Sequence, residues 1–218
     1  MWQKTDPRWF RVGITKGWPT EWIAKNKSQS ADFFVEDIDI QEYIKNYYWK
    51  AGIAKVVIRK TDQDGEVIIF TSKPALIIGK QGAILNDFQE KLKKKFNKDF
   101  KVTVKEVKVP ELSAKIMAEL AVEQMEKRLP FRRVGNQIVQ RAMEKWAQWV
   151  KFYITGRLWG ADIARWETFI KGRVPLQTLR ADIDYHYDTA VTKYWVLGIK
   201  VWIYKWDVYS NKYKEVAK

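Results

Sequence analysis

The chain has 218 residues, 46% of them hydrophobic and 30% charged, with a formal net charge of +14. That length accommodates one large domain or two small ones with a buried core, and no apolar run approaches the ~18 residues of a membrane span. The absence of cysteine excludes disulfides and thiolate zinc sites, and the single histidine, His186, excludes a multi-histidine metal centre. The N-terminus "MWQKTDPRWF" has neither the apolar core of a secretory signal nor the Arg/Ser bias of a transit sequence, so a cytoplasmic location is expected.

In chain order, residues 1–18 read as a polar, basic arm carrying Lys4, Arg8, Arg11 and Lys16. From Asp37 to Lys50 the spacing of Ile38, Ile40, Tyr43, Ile44, Tyr47 and Tyr48 predicts an amphipathic helix, with Gly52 as its C-terminal cap. "IAKVVIRK" and "EVIIFTSK" are β-rich runs joined by "TDQDG", whose Asp-Gly signals a hairpin. A short apolar turn, a Gly-x-x-Gly loop and a helix with Leu85, Phe88 and Leu92 on its buried side come next, then the strand "FKVTVKEVKV". Pro110 marks a boundary. Beyond it, two helices separated by Pro130 precede the strand "VKFYITGR", and β-rich runs follow near 162–170, 181–187 and 190–205. The predicted fold class is α+β: a domain over 19–109, a C-terminal α/β domain over 110–206 with two helices on a mostly antiparallel sheet, and a polar tail over 207–218.

The charge is unevenly placed. Residues 127–180 hold twelve basic residues against Glu144, Asp162 and Glu167, and eight of the eleven arginines of the chain. Arginine suits bidentate phosphate contacts, whereas a merely solvated face would be lysine-rich and diffuse. This distribution predicts a nucleic-acid partner.

"IIGKQG" is the sharpest motif. Gly79 and Gly82 bracket Lys80 and Gln81, so a nucleic-acid backbone can approach where side chains would collide. Lys80 and the N-terminus of the following helix offer positive potential to phosphate. Within the predicted order of elements, this loop matches a KH module of type II. A P-loop is excluded, because Pro74 stands five residues before Gly79 and Gln81 follows the lysine. Asp182 and Asp184 alternate on one face of a strand; a nuclease would use such a pair for Mg²⁺, but arginine partners are the expected role. No catalytic residue, metal or cofactor is expected.

Several longer stretches resemble the bacterial small-subunit ribosomal protein S-three family across nearly the whole chain. They are "QK…P…FR.GI", "IIGKQG", "KVPEL.A", "PFRR", "QRAM", "TGRL.GA.IAR", "GRVPL.TLRADIDY" and "VLGIKVWIYK". The resemblance implies a structural ribosomal protein in the head of the subunit, with a KH type II domain. Its implied partners are small-subunit rRNA, mRNA and neighbouring head proteins of the S-ten and S-fourteen families, with no membrane. It implies that Arg132 and Arg133 grip mRNA where it enters the subunit; a third basic residue usual in the family is replaced by Asn136. The rRNA contacts are expected from Lys4, Arg11, Arg128, Arg157, Arg165, Arg173 and Arg180. The alternative is a free KH-type mRNA regulator, which leaves the block "GRVPLQTLRADIDY" unexplained.

Measured against that resemblance, Trp2, Trp9, Trp146, Trp149, Trp159, Trp195 and Trp206 stand where the family pattern typically has glycine. Glycine serves positions where Cβ is forbidden, and tryptophan is its worst replacement. Some bacterial codes read UGA as glycine and others as tryptophan, so the pattern implies UGA codons at these positions. Real tryptophans stacking on RNA bases are the competing explanation.

Overall fold

The first helix begins ten residues earlier than its apolar periodicity predicts. In the computed structural model, which describes residues 4–61, 64–96, 98–173, 175–193 and 195–209, helix α1 spans Lys27–Tyr47. Trp2, the Asp62–Gln63 part of the predicted hairpin turn and the tail beyond Tyr209 lie outside the described residues. The early turns of α1 are held by polar contacts that hydrophobic spacing does not register. The Trp22 indole N–H donates to Asp37 at 2.7 Å and its ring meets Phe33 edge-on at 5.5 Å. Asp37 is buried and pairs with the buried Lys60 ammonium at 2.7 Å, an arrangement in which each charge offsets the desolvation of the other. The helix ends at Tyr47 with Tyr48 as cap, so Gly52 is not the cap; it takes φ +61° just before the next strand.

Two compact units follow from the contacts, one comprising Trp18–Lys108 and the other Met1–Gly17 with Val109–Lys218. In the first, strands β1 (Thr20–Glu21), β2 (Ile53–Lys60), β3 (Asp64–Thr71) and β4 (Asp99–Glu106) form a sheet in that order. β2 and β3 are antiparallel, while β3 and β4 run parallel. Parallel neighbours need a crossover, and helices α2 (Pro74–Ile78) and α3 (Ala83–Phe96) supply it. Ile40 and Ile44 of α1, Ile77 of α2, and Phe88 and Leu92 of α3 pack with Ile58, Val67 and Ile69 into one core. Leu85 is only half-buried. The short β1 is an addition to the three strands predicted.

In the second unit, α4 (Ala114–Glu126) and α5 (Phe131–Glu144) flank the break at Pro130. Strands β5 (Trp149–Gly156), β6 (Arg165–Lys171), β7 (Ala181–Val191) and β8 (Val196–Asp207) are ordered β6-β5-β8-β7, and every pairing is antiparallel. Alternation along the strands divides the apolar residues between two faces. Phe152, Ile154, Ile199 and Val201 join Met117, Ala121, Val134 and Ile138 of the helices. Trp149, Ile183, Trp202 and Tyr204 form a smaller cluster. The N-terminal segment is not a free arm. The Arg11 guanidinium is fully buried and donates to the carbonyls of Pro7, Leu176, Thr178 and Ala181 at 2.8–3.0 Å.

Candidate nucleic-acid interface

The Gly79–Gly82 loop joins α2 to α3, and its geometry accounts for both glycines. Gly79 has φ +72° and ψ −172°, a region that L-residues avoid. A Cβ there would also lie 2.5 Å from Ile84 Cγ1 and 2.9 Å from Ile84 Cβ. Gly82 has φ +80°, but a Cβ on it would meet nothing within 4 Å. One glycine therefore closes the loop, while the other leaves its outer face open. Lys80 and Gln81 between them are exposed, and Gln81 takes φ +52°. The loop leads into the positive N-terminal end of the 14-residue α3.

Exposed apolar side chains border this loop: Leu76 and Ile78 before it, and Ile84 after it. Sequence reasoning missed this surface, because "PALII" reads only as a short apolar turn, whereas the structure buries Ile77 and leaves Leu76 and Ile78 exposed. A charged loop beside an apolar strip suits a single strand, with phosphates on the loop and base faces on the strip.

The basic residues of the second unit fall into distinct environments. Arg132 and Arg133 project from the first turn of α5, both exposed, where the helix N-terminus adds to their positive potential. Glu167 of β6 approaches Arg132 Nε at 3.4 Å and partly offsets it. Asn136, one turn further on, is also exposed. Arg128 and Arg157 come together around a pocket of about 230 Å³ that Trp159 and Trp195 also line. The Arg157 guanidinium lies 3.8 Å from the centre of the Trp195 ring and donates to Asp162 and the Ala161 carbonyl, both at 2.9 Å. Lys4, Arg165 and Arg173 are exposed. Arg180 is exposed but donates to Asp207 at 3.1 Å. The Asp207 carboxyl sits below its usual range, chiefly through the hydrogen bond from the Tyr204 hydroxyl.

Arg11 corrects the sequence reading: burial among backbone carbonyls removes it from any phosphate, and it ties the N-terminal segment to residues 175–181. The aspartates of β7 are a second correction, since their close partners are not arginines. Asp182 pairs with Lys16, and Asp184 accepts the Ala114 N–H at 3.0 Å. Burial pushes the Asp184 carboxyl up, but Lys16, Lys205 and that N–H outweigh it and hold it below its ordinary value. Among the described residues, no group of three His, Asp or Glu side chains is placed to hold a metal ion.

A family model for the KH domain matches residues 39–112, and one for the C-terminal domain of ribosomal protein S3 matches residues 121–203. Small ribosomal subunit protein uS3 of Thermosipho africanus is 43% identical over 95% of this chain and 99% of its own length. The uS3 proteins of Desulforamulus reducens and Caldanaerobacter subterraneus are 42% and 44% identical over the full chain and 98% of theirs. The chain belongs to the uS3 family. Members of the uS3 family are structural, non-enzymatic proteins of the small ribosomal subunit, which implies rRNA as a partner. The KH match spans the Gly79–Gly82 loop, and the uS3 C-terminal match spans Arg128, Arg132, Arg133, Arg157, Arg165, Arg173 and Arg180. No helix among the described residues is long and apolar enough to cross a membrane.

Proposed function

We propose that the chain acts in the head of the small subunit, where its Gly79–Gly82 loop and exposed arginines hold rRNA and Arg132 and Arg133 meet incoming mRNA. The observation that carries this reading is the loop: a Gly79 in a conformation that only glycine adopts freely, an open Gly82 and an exposed lysine at the start of a helix. The paired arginines on the first turn of α5 support the mRNA contact, and Asn136 in place of a third charge weakens any unwinding of the message. On α1 the exposed Phe34, Val35 and Ile38 form an apolar strip that suits a protein neighbour of the S-ten or S-fourteen family. The test places negative charge on the loop with the double variant Lys80→Asp, Gln81→Asp. Both side chains are exposed, so folding is retained, and affinity for small-subunit rRNA falls at least about tenfold as phosphate attraction becomes repulsion. Unchanged affinity would remove the loop from the interface. Association of the chain with small subunits on sedimentation separates this role from that of a free mRNA regulator.

A further inference from the structure

Four residues other than glycine take positive φ among the described residues: Gln81, Arg128, Trp146 and Trp159. In that region Cβ crowds the carbonyl oxygen, and a bulky aromatic there is an outlier.

Trp146 closes α5. Its N–H donates to the Met143 carbonyl at 3.1 Å, and the Ala147 N–H donates to the Ala142 carbonyl at 3.2 Å. These two bonds make the Schellman reversal, whose left-handed residue is usually glycine; here that residue is Trp146, at φ +66°. Its side chain is 90% exposed, so packing does not offset the strain. Arg128 occupies the matching place after α4, with the Arg128 N–H donating to Met125 and the Leu129 N–H to Gln124. The fold thus tolerates a side chain at such a site, but Arg128 contributes charge to the basic face, whereas an indole in water contributes nothing.

Trp159 lies in the reversal between β5 and β6. It has φ +56° and ψ +32° and precedes Gly160 at φ +75°. Two successive left-handed residues are the demand that draws Asn-Gly and Gly-Gly pairs into tight reversals. This ring is also mostly exposed, at 65%. Trp149 is anomalous in the opposite sense: it is fully buried, yet its indole N–H finds no acceptor, although buried indoles usually have one.

From this backbone geometry we infer that positions 146 and 159 are glycine in the protein as its cells make it, their codons being UGA read as glycine. One reassignment acts on every UGA codon, so it also reaches any other tryptophan of the seven encoded in that way. The inference does not depend on the RNA-binding role, because it concerns which residue is inserted rather than what it contacts.

Trypsin cuts after Lys145, Lys151, Arg157 and Arg165, releasing peptides 146–151 and 158–165 from the protein purified from its own cells. The expected masses carry glycine at 146 and at 159, and the gene carries UGA at both codons. A tryptophan mass at either position overturns the inference, as does UGG at either codon. The gene sequence decides the matter even if a peptide escapes detection.

Discussion

At the scale of single residues, the two loop glycines differ in what they do, and substitution separates them. Gly79→Ala meets both forbidden backbone and the Ile84 side chain, so it destabilises by about 2–4 kcal/mol. Gly82→Ala meets only the positive φ and costs about 1 kcal/mol. Urea denaturation of the two variants checks the ranking. His186 adds to the loss of stability in acid, alongside carboxylates such as Asp184 that are held below their ordinary value. Burial foremost, with Lys115 and Arg8, lowers its pKa from 6.5 to about 4 against the opposing pull of Asp188 and Asp184. The folded state therefore holds the imidazole neutral while the unfolded chain binds a proton below pH 6.5. This contribution to stability is complete above that pH and declines as pH falls towards 4, by up to about 3 kcal/mol. His186→Gln flattens thermal unfolding profiles recorded across this window; an unchanged pH dependence would refute the assignment. Only the first of these sites was visible in the chain. "GKQG" is local and announces itself, whereas the burial of His186 depends on α4 and the N-terminal segment packing against β7.

At the scale of elements, α5 shows how a helix gathers an exposed basic face. Pro130 breaks the chain, Phe131, Val134 and Ile138 are buried, and Arg132 and Arg133 consequently face solvent at the positive end. The helix is legible from its periodicity. The contact of Glu167 with Arg132 is not, because it joins α5 to β6 across 35 positions of sequence. Removing that carboxylate releases the arginine, so Glu167→Gln strengthens RNA binding and steepens its salt dependence. Arg132→Ala and Arg133→Ala weaken binding, each reducing the slope of log affinity against log salt by about one. Titrations at several salt concentrations measure both effects. The early start of α1 is an element-scale case of the same limit. Its first turns bury Phe33 as their only apolar residue, and the partners that hold them, Trp22 and Lys60, come from elsewhere in the chain.

At the scale of the molecule, the unit Trp18–Lys108 has its own core of residues from α1, α2, α3 and all strands except β1. A fragment spanning 18–108 is therefore expected to fold alone, with helical circular dichroism, a cooperative melt and RNA affinity that depends on Lys80. Failure of the fragment to fold would mean that its core is insufficient. The other unit has a further requirement, the buried Arg11. Arg11→Ala leaves the carbonyls of Pro7, Leu176, Thr178 and Ala181 without their donor and costs at least about 3 kcal/mol. Arg11→Lys rescues little, since one ammonium cannot reproduce the planar fork. Neither variant alters the salt slope of RNA binding if the protein stays folded, which distinguishes a structural arginine from a phosphate-binding one.

The chain by itself determined the succession of helices and strands, the break at Pro130, the Gly79–Gly82 loop and the concentration of arginine in residues 127–180. These follow from local rules of periodicity, glycine backbone freedom and charge, which act over a few residues. Only the tertiary structure decided which basic residues reach solvent. Arg11 and Arg180 are indistinguishable as letters, but one is enclosed by carbonyls up to 170 positions away and the other lies open beside Asp207. The same folding placed Trp146 and Trp159 in the left-handed region, because a helix closure and a strand reversal impose backbone angles whatever side chain is attached.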